Sequence, residues 1–218
     1  MRVMLRSLSV VAGVSGLFAV SPSLADNANA NRSAERSLAF MRVYGPAQPP
    51  YGFVQFCDER PEECKPGPSF DDTRFPATPE RLSELDEVNR LVNRKIQPVT
   101  DLELYGVTEY WTIPVDKGDC EDYALLKRQM LVQRGWPVSS MLMTVVRDEK
   151  GEGHAVLTAR TAQGDFILDN KVEEVKIWSK TPYELVMRQS YLNPRAWVSL
   201  DPNDGSAPMA ISGVKEKR

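Results

Sequence analysis

One stretch near the middle of the chain, KGDCEDYA at residues 117–124, constrains the fold most, because a glycine turn there opens an amphipathic helix. Apolar residues continue at helical spacing to Val132, and Gly135 and Pro137 mark the end of the helix. Cys120 falls in the first turn, where the helix dipole favours an anion. That position lowers the pKa of a thiol and favours a nucleophilic thiolate, although a free cysteine is more often a small buried hydrophobic residue.

The chain begins with the pattern of an export signal. Arg2 and Arg6 precede an apolar run over residues 8–20 and a small-residue cleavage site at residues 23–25. We therefore expect a mature periplasmic chain that starts near Asp26, the alternative being an uncleaved N-terminal anchor. No later apolar run reaches membrane-spanning length, so the mature chain is not expected to insert into a membrane.

The mature chain is acidic. The full sequence has a formal charge of −3, and loss of Arg2 and Arg6 with the signal changes that charge to −5. An acidic protein without a basic run is a poor candidate for binding nucleic acid or an anionic membrane. The 218 residues, 42% of them hydrophobic and 26% charged, suffice for one well-buried globular domain.

Export makes a disulfide among the three cysteines expected, because exposed thiols pair in an oxidising compartment. Cys57 and Cys64 are spaced for a small disulfide-closed loop, which leaves Cys120 as the one unpaired thiol. The alternative of a zinc site at Cys57 and Cys64 lacks the further cysteine or histidine ligands that zinc requires.

Proline divides the mature chain into two parts. The many prolines of residues 26–79 argue against a long helix or a central strand there, and we expect Val43, Phe53 and Val54 in short edge strands. The expected organisation is a signal peptide at residues 1–25, a proline-rich arm with the disulfide loop at 26–79, a folded domain at 80–201 and a flexible tail at 202–218.

Hydrophobic spacing after the arm predicts an α+β domain. Thr78 and Pro79 open a helix that runs to about Lys95, and a mostly irregular connection over residues 96–113 leads to the Cys120 helix. An antiparallel meander then follows, with strands at residues 140–146, 154–160 and 165–169. Further strands are expected at residues 175–178 and 197–200, with a short helical turn at 182–188 between them.

The sequence contains a single histidine, and it falls where a catalytic base would be useful. His154 begins the second strand of the meander, and Asp169 ends the third, so the two can face each other across the strand pair. With Cys120 they supply a nucleophile, a base and an orienting carboxylate. The Cys120 backbone N–H is one expected oxyanion donor, and the Trp111 indole is a second candidate that packing would also explain.

Four motifs in this order resemble those of a known family. They are Tyr110-Trp111-Thr112-Ile113-Pro114, Gly118-Asp119-Cys120-Glu121-Asp122-Tyr123-Ala124 with Lys127, Gly153-His154-Ala155-Val156, and Leu168-Asp169-Asn170. Together they make the region from about residue 82 to residue 178 similar to the bacterial transglutaminase-like cysteine proteinases. The motif around Cys120 is the most specific of the four.

The resemblance implies a papain-like, transglutaminase-like α+β core, in which N-terminal helices and the nucleophile helix pack on an antiparallel sheet. It places the triad on Cys120, His154 and Asp169 and implies no organic cofactor. In the best-known branch, the activity is calcium-dependent cleavage of a large surface adhesin, controlled by an inner-membrane receptor for cyclic di-GMP. The calcium ligands of that branch map onto Asp119 and Glu121.

The acidic residues beside Cys120 also allow a physical argument for calcium. Carboxylates at Asp119, Glu121 and Asp122 suit a helix N-terminus, which is the simpler explanation. However, their charges would raise the pKa of the Cys120 thiol and oppose thiolate formation. A bound hard cation with oxygen ligands would neutralise them.

Three functions remain open from the sequence. The leading hypothesis is a periplasmic cysteine endopeptidase that cleaves a protein or peptide substrate through a thioester acyl-enzyme. A transamidase would share the same acyl-enzyme and pass the acyl group to an amine. A non-catalytic periplasmic binding module could keep the fold with an idle triad.

Overall fold

The helix that begins at Cys120 packs on one face of an antiparallel sheet, and these two layers enclose most of the buried apolar side chains. A computed structural model describes residues 38–67 and 74–203. The predicted signal peptide at residues 1–25 and residues 204–218 of the predicted tail lie outside the described residues. Within the described part of the chain, no helix is long and apolar enough to cross a membrane.

The described elements comprise four α-helices and nine short or medium strands. The helices are α1 (Tyr51–Glu59), α2 (Pro79–Lys95), α3 (Asp101–Tyr105) and α4 (Cys120–Gln133). The strands are β1 (Gly45–Ala47), β2 (Gln97–Pro98), β3 (Lys117–Gly118), β4 (Met141–Arg147), β5 (Gly153–Thr161), β6 (Gly164–Leu168), β7 (Lys176–Ile177), β8 (Glu184–Gln189) and β9 (Trp197–Ser199). Single 3₁₀ turns are formed by Pro61–Cys64, Val138–Ser140 and Trp178–Lys180.

Seven strands form one sheet in the order β1-β9-β8-β4-β5-β6-β7, and every neighbouring pair is antiparallel. The predicted meander is therefore confirmed as β4, β5 and β6. Residues from His154 to the end of β5 are all buried, because both faces of this strand are covered. Leu157 faces the main core with α4, whereas Val156 packs with Met41 and Ile167 on the other face.

Helix α2 begins and ends where the sequence predicts. The Thr78 side chain accepts a hydrogen bond from the Arg81 backbone N–H, and Pro79 occupies the first turn. Leu85, Val88 and Val92 recur at helical spacing and are fully buried in the main core. This apolar face packs α2 against α4.

Two predictions for the arm are wrong. Phe53 and Val54 lie in helix α1 rather than in an edge strand, because no proline interrupts residues 51–59 and Phe53, Phe56 and Cys57 share one buried face. Val43 precedes the edge strand β1 instead of forming it. The helix is only nine residues long, and Pro61 follows two positions after its last residue.

One prediction for the domain is also wrong. The segment predicted as a helical turn at residues 182–188 contains strand β8, which pairs with both β9 and β4 inside the sheet.

The connection over residues 96–113 is mostly irregular, as predicted, but it also contains the short helix α3. The Thr100 side chain and Glu103 form a capping box at its start, and Gly106 ends it in the left-handed conformation with φ 73°.

The arm shares its core with the rest of the chain. Cys57 and Cys64 form a disulfide with a Cα–Cα distance of 5.5 Å. Phe53 packs edge-to-face against Trp111 and Trp197, with ring centroids 5.4 Å and 5.2 Å away. Gly52 lets α1 approach so closely, because a Cβ there would lie 2.5 Å from Trp111 Cδ1.

Replacing Gly52 with alanine is expected to destabilise the fold. Alanine favours the helix over glycine by about 1 kcal/mol. However, the clash of its methyl group with the buried Trp111 ring costs up to about 3 kcal/mol. We expect a net loss of about 1–2 kcal/mol in the free energy of unfolding, measured by urea denaturation. Gly67→Ala is the control, since its Cβ would make only an ordinary 3.6 Å contact. Equal stability of the two variants would contradict the packing argument.

Candidate active site

His154 and Asp169 meet at one end of the meander. His154 is the second residue of β5, and Asp169 follows the last residue of β6. Their contact joins His154 Nε2 to Asp169 Oδ1 at 2.9 Å, and the two side chains are 1% and 4% exposed. The meander therefore brings the predicted base and its orienting carboxylate into a buried hydrogen bond.

Asp169 is held from several directions. Its Oδ1 also accepts the Lys171 backbone N–H at 3.0 Å, and its Oδ2 accepts the Tyr183 hydroxyl. Burial raises the pKa of Asp169, but the hydrogen bonds and charge of its partners, His154 first among them, outweigh burial and lower it overall. An ionised carboxylate only accepts hydrogen bonds, so His154 Nε2 carries the proton.

The loop that carries Asp169 is tied to helix α2. The Asn93 side chain donates to the Asp169 carbonyl oxygen at 2.9 Å. One turn earlier, Asn89 donates to the carbonyl oxygens of Val172 and Glu173, both at 2.9 Å. These amides lie four residues apart on α2 and fix the backbone on which the carboxylate stands.

Cys120 is the first residue of α4 and the one free cysteine of the chain. Its sulfur accepts the Ala155 backbone N–H at 3.4 Å, which places it beside the residue that follows His154. The thiol donates to Glu121 Oε2 at 3.1 Å. Cys120 and His154 open into one cleft of about 250 Å³, hereafter the active-site cleft, whose other lining residues are Pro98, Val99, Thr100, Glu103, Asp119, Gly153, Asn170 and Lys171.

The electrostatic surroundings of Cys120 oppose the effect expected of a helix start. Burial and the charges of Glu121 and Asp119 raise the pKa of the thiol well above its ordinary value, and the Ala155 N–H only partly offsets them. The prediction of a dipole-lowered thiol pKa is therefore wrong for this arrangement of side chains, because burial and the neighbouring carboxylates together outweigh the helix dipole.

Asp119 and Glu121 belong to a cluster of three carboxylates, hereafter the acidic cluster, which they form with Asp101. Each offers one oxygen, and the three oxygens lie within 4.8 Å of one another. Asp101 and Glu121 are fully buried. Among the described residues, Asp101 Oδ1, Asp119 Oδ1 and Glu121 Oε1 have no hydrogen-bond partner.

The acidic cluster is not explained by helix capping. The Asp119 side chain makes no cap hydrogen bond to α4, and its Oδ2 instead accepts the Asp101 backbone N–H at 3.1 Å. Burial and the charge of Asp119 raise the pKa of Asp101 to about 6. Burial together with the charges of Asp119 and Asp122 raises the pKa of Glu121 well above its usual range. The cluster therefore brings carboxyl groups together without a pairing cation among the described residues, and their mutual repulsion adds to burial in disfavouring ionisation.

Comparison with known proteins assigns the chain to a family. The family model of the bacterial transglutaminase-like cysteine proteinases matches residues 43–205. The chain belongs to this family. Membership confirms the resemblance of the sequence motifs and the transglutaminase-like α+β fold. The matched residues include most of the proline-rich arm.

Solved structures of Legionella pneumophila LapG are also similar. The EGTA-treated protein is 27% identical, and the alignment covers 52% of this chain and 64% of that one with a TM-score of 0.43. The calcium-bound protein is 24% identical, with coverage of 62% and 77% and a TM-score of 0.48. The first alignment thus spans just under two thirds of its LapG chain. Comparison with curated proteins gave no significant match.

Trp111 does not have the position expected of an oxyanion donor in this transglutaminase-like cysteine proteinase. Its indole N–H donates to Glu109 Oε1 at 3.0 Å, and its ring is 1% exposed within the aromatic cluster of Phe53 and Trp197. The structure therefore gives Trp111 a packing role.

Asp101 is the cluster residue that the sequence analysis missed. It lies 18 residues before Asp119, and the parallel pairing of β2 with β3 brings the two segments together. The signal available in the sequence was the Thr100-Asp101 pair, which is typical of a helix start. A helix start predicts an exposed carboxylate, so burial of Asp101 could not be anticipated without the pairing of β2 and β3.

Lys127, on the core-facing side of α4, is a buried cation. It is fully buried, its Nζ has no hydrogen-bond partner among the described residues, and it lies 5.8 Å from the centroid of the Tyr123 ring. Burial lowers the pKa of Lys127 to about 7, and the charge of Asp169 opposes that shift. The protein therefore carries a charged amine in its core at acidic pH.

Lys127→Met is expected to stabilise the protein in a pH-dependent manner. A lysine pKa lowered in the folded state makes the unfolded state bind the extra proton between about pH 7 and 10.5, so stability of the wild type rises with pH over that window. Lys127→Met should raise the free energy of unfolding by on the order of 1–4 kcal/mol below pH 7, and this increase should become smaller toward pH 10. Urea denaturation at several pH values measures it, and exposed Lys117→Met is the control. A difference that does not change with pH would contradict the burial of a charged amine.

Proposed function

We propose that this protein is an exported cysteine endopeptidase that cleaves a protein substrate with Cys120 as nucleophile, His154 as base and Asp169 as orienting carboxylate. Family membership supports cysteine protease activity. The observation that carries the residue assignment is the buried His154–Asp169 hydrogen bond beside a free thiol, with Cys120 and His154 open to the same cleft. The arrangement has the parts and the order of a thiol protease triad.

The first half-reaction forms the acyl-enzyme. Asp169 fixes the proton on His154 Nε2, so His154 Nδ1 is the nitrogen that takes the proton of the Cys120 thiol. The sulfur then bonds to the scissile carbonyl carbon, and N–H groups at the start of α4 stabilise the negative oxygen. The imidazolium returns its proton to the leaving amine, and a thioester remains on Cys120.

The second half-reaction restores the enzyme. A water molecule gives a proton to His154 Nδ1 and attacks the thioester carbonyl carbon, and the departing sulfur recovers the proton. The products are a carboxylic acid and the free thiol. A transamidase would differ only here, because an amine would replace the water.

Substitutions in the triad should separate chemistry from folding. Cys120→Ala should abolish cleavage, and Asp169→Asn should reduce the rate by roughly 10³–10⁴-fold because the imidazole loses its fixed tautomer. The measurement is mass spectrometry of peptides released from surface and periplasmic proteins of the source cells, with and without an added amine. Amine incorporation into the products would identify transamidation.

Asp58→Asn serves as the matched control for Asp169→Asn, since Asp58 is an exposed carboxylate that pairs with Arg195. It should cleave as the wild type does. Equal product formation by wild type and Cys120→Ala would refute the proposed protease and favour a binding module.

We also propose that the acidic cluster holds a calcium ion. Calcium binds oxygen ligands at about 2.3–2.6 Å, so two ligands on opposite sides of one ion lie at most about 5 Å apart. The 4.8 Å limit on the cluster oxygens fits that requirement. Each of the three residues also has one buried oxygen without a hydrogen-bond partner among the described residues. Asp101, Asp119 and Glu121 would be the ligands, two of them anticipated in the sequence. A bound cation would offset the negative charge beside the Cys120 thiol.

Calcium binding should be measurable without any assay of activity. Isothermal titration calorimetry of the wild type should give a binding heat, and the unfolding midpoint should rise with calcium and fall with EGTA. Asp101→Asn should weaken binding by at least about tenfold, because one buried carboxylate ligand loses its charge. Exposed Asp116→Asn is the control. Absence of both the heat and the midpoint shift in the wild type would remove calcium from the proposal.

The cellular setting is a separate part of the proposal. The predicted signal at residues 1–25 supports a periplasmic location. Sequence resemblance supports a surface adhesin as the substrate and an inner-membrane receptor as the regulatory partner. Trapping a client on Cys120→Ala and identifying it would test the adhesin substrate.

A further inference from the structure

Tyr183, one residue before β8, contacts two members of the proposed triad. Its hydroxyl donates to Asp169 Oδ2, the carboxylate oxygen that His154 does not use. Its ring packs edge-to-face against the His154 imidazole, with centroids 5.6 Å apart and ring planes at 66°. A single side chain thus restrains both the carboxylate and the ring that the carboxylate orients.

Tyr183 lines a different cleft from His154. It borders a second cleft of about 510 Å³ together with Arg42, Arg147 and Trp178, whereas His154 lines the active-site cleft. Tyr183 is half-buried, and the His154 and Asp169 side chains are almost fully buried. Tyr183 therefore reaches the buried His154–Asp169 pair without lining the active-site cleft.

The simplest explanation of the contact is that a buried tyrosine hydroxyl needs a hydrogen-bond partner. Two observations go further than that explanation. The hydroxyl ends on the carboxylate that already binds His154, and the ring of the same residue packs on the same imidazole. Burial and the charge of Asp169 raise the pKa of Tyr183, so the phenol remains a donor.

We propose that Tyr183 is a positioning residue of the triad, which fixes the rotation of the Asp169 carboxylate through its hydroxyl and the rotation of the His154 ring through its own ring. The inference rests on the function proposed above. Its consequence is that His154 stays in the tautomer with a proton on Nε2, and Nδ1 remains available to the Cys120 proton.

The single histidine makes this proposal directly measurable. ¹⁵N NMR of the imidazole nitrogens reports the tautomer of His154 without interference from any other histidine. In Tyr183→Phe we expect the fraction protonated on Nε2 to fall, while the unfolding midpoint stays close to that of the wild type. We also expect a slower Cys120-dependent hydrolysis of p-nitrophenyl acetate, which is the rate that remains after the rate of Cys120→Ala is subtracted. This rate should fall about tenfold, the effect of one lost hydrogen bond to a charged group.

The control is Tyr110→Phe, which removes a hydroxyl that donates to the Glu59 carboxylate at 3.2 Å. It should change neither the tautomer nor the hydrolysis rate. Tyr183→Leu removes the ring as well, and a larger loss of the Nε2 tautomer than in Tyr183→Phe would show the separate effect of the ring.

An unchanged His154 tautomer in Tyr183→Phe would overturn the inference, even if the hydrolysis rate fell. If the wild type shows no Cys120-dependent hydrolysis, the proposed protease fails. The tautomer comparison still decides the role of Tyr183 in that case, because it needs only the folded protein.

Discussion

The contact between the start of α4 and the start of β5 determines how Cys120 lies relative to His154. The Ala155 N–H bonds to Cys120 Sγ, and the apolar face of α4 packs on the sheet along β5. Because His154 precedes Ala155, the register of β5 fixes the imidazole relative to the thiol. A shift of one residue would move the imidazole to the other face of the sheet. The hydrophobic pattern of β5 therefore determines on which face the His154 side chain lies.

Close packing at this contact has an electrostatic cost. Residues 121–128 are all buried, and four of them have acidic or basic side chains: Glu121, Asp122, Lys127 and Arg128. Arg128 is compensated by Glu63 and by a main-chain carbonyl oxygen, and Asp122 accepts the Thr112 N–H. Uncompensated buried charges cost several kcal/mol each. Burial raises the pKa of Asp122 to about 8, which is one way to reduce that cost.

The sequence predicted those features that local patterns determine. The boundaries of α2 and α4 followed from caps and apolar spacing, and the meander followed from alternation between turns. Asp101 and Tyr183 were missed because each reaches the site through long-range pairing. Tyr183 lay in a segment predicted to be a helical turn, and only the pairing of β8 with β4 and β9 makes that segment a strand.

Helix α1 shows a different reason for failure. Prolines are frequent across residues 40–79, but residues 51–59 contain none. Within this interval Phe53, Phe56 and Cys57 form a buried face with a helical period. A proline restricts the backbone only at its own position and next to it, so a proline-free interval inside a proline-rich segment can still form a short helix.

The arm supports helix α4 and is not a separate appendage. Glu63, in the disulfide loop, accepts hydrogen bonds from Arg128 and from Gln129 of α4 at 3.4 Å and 3.0 Å. On the other side of the loop, Arg195 binds the Cys57 carbonyl oxygen at 2.7 Å. Because the Glu63 carboxylate is a charged partner of buried Arg128, removal of the loop would leave that guanidinium uncompensated within α4. The same helix begins with Cys120, so the disulfide loop contributes to the stability of the helix that presents the thiol.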